Sequence, residues 1–404
     1  MKAGDVINGY TILEDFKVVG AGLSKWTFAA RDGREYFIKE FLSPTYPDDD
    51  APGSEKTKAK KRARCAAFEA HHRGIQRALA PLSAYGGNLI VTLDFFRWGA
   101  KYYKVTEKVD AEGLEPSDIS SLDLRTRLIL MMTVAHSLKI LHDLRIVHSD
   151  LKPSNVLIKR TELGYTTKLI DFDSSYIAGD PPPPEEIVGT INYYSPELLG
   201  YIQEAGVGPS DLGVASDVFA LGLIYTEYLT GAPPPFDPAY HEPAVAVRNG
   251  QPLRIPRSGV EPALADLIDR MLTADPAERP AIGQVHATLM SIRSMAAAPP
   301  GRSVPSPASP SARPSGDGTS RLRGRGLKLV GRTAPDATAT APPRVTPRAA
   351  PPRVAPAPPT TASPSPPPPP PPAPSRPSGT RPLVAHGERL LGKLFDRITE
   401  RRAR

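Results

Sequence analysis

The sequence predicts an α+β chain in which a small strand-rich segment precedes a larger helical one, and three observations predict it. Short runs of aromatic and branched residues, separated by turn residues, fill residues 1–109. Over residues 110–293 apolar residues instead recur every three or four positions, the period of one buried helix face. From residue 294 that pattern stops. Residues 299–382 hold 26 of the 48 prolines and few aromatic or branched apolar side chains with which to build a core.

Taken in order, strands are expected at residues 10–16, 26–30, 36–41, 89–95 and 101–106. Residues 43–64 break the alternation with Pro44, Pro47, three consecutive aspartates and a Lys/Arg run, and read as an inserted loop. The loop leads into a helix at residues 59–79, the one good helical candidate of this half. Helix faces follow at Leu128, Met131, Met132, Ala135, Leu138 and Leu141, then Val218, Leu221, Ile224, Tyr225 and Leu229, then Leu264, Leu267, Ile268, Met271 and Leu272. Residues 294–382 read as a disordered, basic, proline-rich linker. In residues 383–404, Leu383, Val384, Leu390, Leu391, Leu394, Phe395 and Ile398 lie among Arg389, Lys393, Arg397, Arg401 and Arg402, a candidate basic amphipathic helix.

The net charge of +7 is unevenly placed: residues 294–404 carry 18 Lys/Arg against 5 Asp/Glu, and the first 293 carry 32 against 38. An acidic body with a basic tail points to an acidic partner, an anionic membrane surface or the chain's own folded domain as the tail's contact, and nucleic acid is not expected. The single cysteine, Cys65, cannot form an intramolecular disulfide. The first residues lack an apolar signal core, and no run of about 18 apolar residues occurs. Cytoplasmic residence is therefore expected.

The chemistry is concentrated in His148-Ser149-Asp150-Leu151-Lys152-Pro153-Ser154-Asn155, a polar loop between apolar runs. Phosphoryl transfer needs a carboxylate to orient and deprotonate a hydroxyl, a cation for the moving phosphoryl group, and an amide oxygen for Mg²⁺. Asp150, Lys152 and Asn155 supply these types. Upstream, Gly20-Ala21-Gly22 is a turn whose glycines let backbone approach phosphate oxygens, and Tyr36-Phe37-Ile38-Lys39 follows it. Downstream come Ile170-Asp171-Phe172-Asp173, Gly189-Thr190-Ile191-Asn192-Tyr193-Tyr194-Ser195-Pro196-Glu197, Asp217 at a helix start, and Asp275-Pro276-Ala277-Glu278-Arg279-Pro280. In this order and spacing, residues 8–293 resemble eukaryotic-like serine/threonine protein kinases of the bacterial type.

The resemblance implies a bilobal protein-kinase fold, with a β-rich N-lobe at 1–109 and a helical C-lobe at 110–293, using ATP and Mg²⁺ on protein substrates. It makes Asp150 the catalytic base and sets Lys152 against the γ-phosphate. Lys39 holds the α- and β-phosphates, with Glu69 as its helix partner and Glu55 as the other candidate. Gly20 and Gly22 cover the phosphates, and Thr106, Glu107 and Val109 line the adenine pocket. Asn155 and Asp171 hold metal, and Phe172 packs beneath the helix that bears Glu69. Thr190 bonds Asp150 and Lys152, Glu197 pairs with Arg279, and Asp217 anchors the catalytic-loop backbone.

Four positions depart from the family pattern. Lys25 stands at the third glycine, Thr27 at the following valine, Asp173 at the glycine after Asp171-Phe172, and Ser149 at an arginine that binds activation-loop phosphate. Without that arginine, activity is expected to depend little on activation-loop phosphorylation. The departures keep a second reading open, a pseudokinase scaffold that binds nucleotide without efficient transfer. Asp171-Phe172-Asp173 also fits a small-molecule phosphotransferase, against which stand Lys152, residues 189–197, Asp217 and Arg279.

Overall fold

Period-two alternation puts every second side chain of a strand on one face, and the strands of the first half use it to build a two-faced sheet. The computed structural model describes residues 1–19, 24–48, 50, 52–83, 87–162 and 164–297. Gly20, Gly22, the proline-rich segment and the candidate C-terminal helix lie outside the described residues. The N-terminal half comprises β1 (Val6–Ile7), β2 (Tyr10–Ile12), β3 (Lys17–Val19), β4 (Ser24–Arg31), β5 (Arg34–Phe41), helix α1 (Glu55–Ser83), β6 (Asp94–Trp98) and β7 (Lys101–Glu107). Among the described residues the strands form one antiparallel sheet in the order β1-β2-β4-β5-β7-β6, with β3 paired to β4. One face packs Ile7, Tyr10, Ile12, Ile38, Phe96, Tyr103 and Val105. The opposite face packs Phe41, Phe95 and Tyr102 against Cys65 and Phe68 of α1. Lys39, Tyr102 and Lys104 share this second face by alternation, and the β5–β7 register sets Lys39 directly opposite Lys104.

Several boundaries differ from the sequence expectation: the strand expected at 10–16 ends at Ile12, and the helix expected at 59–79 runs from Glu55 to Ser83. The helix begins at Glu55, four residues before the expected start at Ala59, with Lys58 Nζ 3.2 Å from Glu55 Oε1. The strand expected at 89–95 begins only at Asp94. Residues 88–90 spend their backbone bonds elsewhere: Ile90 N donates to Leu169 O at 2.9 Å, and Leu169 N donates to Asn88 O at 2.7 Å. Those bonds tie the connection between α1 and β6 to the β9–β10 hairpin of the C-terminal half.

The C-terminal half comprises α2 (Pro116–Ser120), α3 (Leu124–Asp143), β8 (Ile146–Val147), β9 (Val156–Thr161), β10 (Gly164–Leu169), β11 (Tyr176–Ile177), α4 (Pro196–Ile202), α5 (Ala215–Thr230), α6 (Pro243–Arg248), α7 (Pro262–Met271) and α8 (Ile282–Ala297). Asp123 caps α3 by accepting from Thr126 N at 3.0 Å, and α5 ends at Gly231 with φ +79°, a conformation that favours glycine. The expected faces of α3, α5 and α7 enter one apolar core, together with Val285, Leu289 and Ile292 of α8. Helix α5 runs through its centre, and Tyr225 donates from its hydroxyl to Met131 O at 2.6 Å. The short pairing of β8 with β11 and the β9–β10 hairpin frame the loop of residues 148–155. Among the described residues no helix is long and apolar enough to cross a membrane.

Helix α5 packs closely at Gly222, where an added Cβ would meet Leu272 Cδ2 at 2.9 Å and Met271 Cβ at 3.1 Å. Gly222→Ala should therefore cost about 1–3 kcal/mol by overpacking, read as a lower urea midpoint with an unchanged slope. Gly213→Ala, where nothing lies within 4 Å of the new methyl, should leave the midpoint in place.

Candidate active site

The loop that carries Asp150 is held from below by one buried carboxylate. Asp217, in the first turn of α5, accepts from His148 N at 2.8 Å and Ser149 N at 3.0 Å, and His142 Nε2–H donates to it at 3.1 Å. Ser149 sits at φ +69°, a costly backbone conformation for a residue with a Cβ. Two backbone donors fixed on Asp217 hold it there. His148 is fully buried, donates from Nε2 to Ile170 O at 3.0 Å, and its ring lies 5.3 Å from that of Phe172. The catalytic loop and the Asp171 segment are thus one packed unit.

On this base Asp150 gathers three donors. Lys152 Nζ donates to its Oδ2 at 2.7 Å and Asn155 Nδ2 at 3.2 Å, and Thr190 N donates to Oδ1 at 3.0 Å. Lys152 also donates to Thr190 Oγ1 at 2.8 Å, and Asn155 donates to Asp150 O at 2.7 Å. The structure therefore brings Asp150, Lys152, Asn155 and Thr190 into one hydrogen-bonded set, and Asp150 and Thr190 line a small pocket with Tyr193 and Tyr194. Gly189 is required beside it, because a Cβ there would fall 2.7 Å from the Tyr194 ring.

The partner expected for Lys39 is a correction. Lys39 Nζ donates to Asp171 Oδ2 at 2.9 Å and Asp173 Oδ2 at 2.7 Å, whereas Glu69 Oε1 accepts from the Tyr102 hydroxyl at 2.7 Å. The reason lies in the placement of the helix. Tyr102 and Lys104 are two residues apart on one face of β7, a step of about 7 Å. Glu69 meets the first of them, while His71 and His72 are the α1 residues that reach the lysine cluster. Glu55, at the start of α1, is engaged with Lys58 and Arg62.

Lys104, which the sequence reading passed over, completes the cluster. Its Nζ donates to Asp171 Oδ1 at 3.0 Å and to Asp173 Oδ1. A lysine within the otherwise apolar run Tyr102-Tyr103-Lys104-Val105 was the available signal. Burial works against the Lys39 charge, but Asp173 and Asp171 more than offset this and hold its pKa above the ordinary lysine value. Burial likewise opposes charge on Asp171, yet Lys104 and Lys39 hold its pKa well below the ordinary carboxylate value. Asp171 adopts φ +63°, a second costly conformation, held by these contacts.

The other expected site residues are placed as follows. Glu197 and Arg279 meet in a bidentate pair at 2.7 and 2.8 Å, with Arg279 also donating to the carbonyls of Thr273, Ala274 and Ala215. Phe172 is buried in the core that also holds Ile75 and Leu79 of α1. Thr106 is buried on the same sheet face as Lys104, and Val109 follows β7 half-buried. Glu107 lines a shallow depression with Tyr10, Arg31 and Tyr36, apart from the lysine cluster.

The residues present fit a divalent metal and a phosphate chain. Hard oxygen donors suit Mg²⁺. Asn155, whose amide nitrogen is spent on Asp150, retains an amide oxygen. Ile170 N donates to Asn155 O at 3.0 Å, so that residue lies beside Asp171. The ammonium groups of Lys39, Lys104 and Lys152 supply positive charge on either side.

His72, stacked on Phe95 at 4.8 Å, gives the site a measurable pH response. Burial pushes its pKa down to about 4, aided by Lys104, His71 and Lys39 and opposed by Asp173. The unfolded chain, with the ordinary value of 6.5, binds this proton more readily. The stability contribution is therefore complete above pH 6.5 and lost as pH falls towards 4, by about 3 kcal/mol. Wild type should lose that much more stability than His72→Phe over this window in denaturant unfolding. Parallel curves would contradict it.

The family model described as protein kinase domain matches residues 56–289, more than half of the chain. A Corynebacterium efficiens serine/threonine-protein kinase is 30% identical over 245 residues, 60% of this chain and 42% of that protein. A calcium and calcium/calmodulin-dependent serine/threonine-protein kinase of Lilium longiflorum is 31% identical over 153 residues, 37% of this chain and 28% of that protein. An Aurora kinase of Yarrowia lipolytica is 35% identical over 153 residues, 38% of each chain. The chain thus spans less than half the length of these relatives. The matched region contains the whole Asp150 set, Asp171, Asp217 and the Glu197–Arg279 pair, and on these grounds the chain belongs to the protein kinase domain family.

Proposed function

We propose that this protein is an ATP- and Mg²⁺-dependent serine/threonine protein kinase in which Asp150 takes the proton of a protein hydroxyl. The observation that carries the reading is the Asp150 carboxylate, fixed by Lys152, Asn155 and Thr190. A base held in one orientation meets the hydroxyl proton without reorganisation. Lys152, bridging Asp150 and Thr190, places positive charge where the transferring group would pass. Lys39 would hold the phosphate chain, and Asn155 and Asp171 would hold the metal. When bound, ATP supplies the phosphoryl group and Mg²⁺ offsets the charge of its oxygens. Serine/threonine specificity follows the Thr190 contacts and the named activity of the relatives, and the substrates are proteins bearing such hydroxyls. The reading keeps the protein in the cytoplasm, which rests on the sequence alone.

Independence from activation-loop phosphorylation belongs to the same proposal. The unmodified loop already has neutral hydrogen bonds: Ser174 Oγ donates to Val188 O at 2.8 Å, and the buried Ser175 Oγ donates to His148 O at 3.2 Å. With Ser149 in the arginine position, this loop presents no unpaired guanidinium that must be neutralised before ordering.

Purified protein with Mg-ATP should phosphorylate itself or a generic protein substrate on Ser or Thr, and Asp150→Asn should lower the rate at least ~100-fold. Equal rates for the two would overturn the assignment of the base. Phosphatase-treated protein should start without a lag and within tenfold of the untreated rate. A larger loss would overturn independence from phosphorylation.

A further inference from the structure

We propose that Asp173 is the positioning residue for Lys39, in the role that the helix carboxylate would otherwise fill, and that Lys104 is its built-in counter-ion. The inference rests on the kinase reading only for its consequence in catalysis. The pairing itself stands on charge and geometry.

The β5–β7 register places Lys39 and Lys104 opposite one another on the same sheet face. Two like charges so placed repel, and both are largely withdrawn from water, with side chains 17% and 6% exposed. Asp171 supplies one negative charge against these two positive ones. The remaining positive charge would carry a desolvation cost of several kcal/mol. Asp173 removes it. Its Oδ2 accepts from Lys39 and its Oδ1 from Lys104, so one carboxylate bridges both strands.

Helix α1 offers no acid to this cluster among its described residues. Its nearest side chains are His71, which donates from Nε2 to Asp173 O at 3.0 Å, and His72, whose Nδ1 lies 3.8 Å from Asp173 Oδ1. His71 thus pins the backbone of Asp173 from the helix side. Glu69, the one acid of α1 near this face, is spent on Tyr102. Lys39 is therefore oriented from the Asp171-Phe172-Asp173 segment of the C-terminal half and not from α1. The aspartate in place of glycine and the lysine within an apolar strand are two halves of one arrangement, since either alone would leave a charge unbalanced.

Asp173→Asn, Lys104→Met, their double variant and Glu69→Gln test this in full-length protein. In nucleotide-free thermal unfolding, the double variant should be clearly less destabilised than the sum of the single ones. Additive shifts would overturn the pairing whatever the activity. In phosphotransfer, Asp173→Asn should raise KM for ATP at least tenfold with a smaller change in kcat, and Glu69→Gln should cost much less. A Glu69→Gln loss equal to or above that of Asp173→Asn would overturn the proposal. Absence of transfer by wild type would count against the kinase reading, while the unfolding cycle would still decide the pairing.

Discussion

Two lysines and two aspartates, largely withdrawn from water between the sheet and the C-terminal half, set the constraint on which the site is built. Opposite charges about 3 Å apart attract by about 5–6 kcal/mol at an effective dielectric near 20, and like charges repel comparably. Only a balanced set is therefore tolerable. Lys39 and Lys104 come from adjacent strands, and Asp171 and Asp173 from a short segment far along the chain. These four ion pairs join the sheet to the segment that carries Asp171 and Asp173. The left-handed backbone of Asp171 persists because these contacts over-determine it.

The rest of the site is rigid for a related reason: each catalytic element is bound by a buried polar group with few alternatives. Asp217 takes two backbone donors and one imidazole, so relaxing the strained Ser149 would cost this buried carboxylate one of its donors. Arg279 spends its guanidinium on Glu197 and three carbonyls with a side chain that is 0% exposed, tying α4 to the segment before α8. Removing one member of such a pair typically costs about 3–5 kcal/mol. The loop that carries Asp150 is thereby anchored to the first turn of α5 through Asp217.

What could be read from the sequence follows how local each feature is. Asp150, Lys152 and Asn155 lie within six residues, so their spacing alone brought them to one site, and the faces of α3, α5 and α7 were plain from period. The partner of Lys39 was not legible. It depends on the placement of α1 after an irregular insertion, and a shift of two or three residues exchanges Glu69 for His71 and His72. Lys104 was hidden for another reason. Its significance appears only once β5 and β7 are in register, and α1 and β6 separate those strands in the chain. Asp173 was recognised as a departure, but without Lys104 its charge had no visible counterweight. Helix α1 starts four residues before Ala59 because its first turn offers Glu55 to Lys58.

The most direct test of this account is an experimental structure of the protein with Mg²⁺ and a non-hydrolysable ATP analogue. The account predicts Lys39 Nζ within hydrogen-bond distance of the Asp173 carboxylate, Lys104 beside it, and Glu69 still on the Tyr102 hydroxyl. A structure with Lys39 paired to Glu69 and Asp173 turned away from both lysines would contradict it.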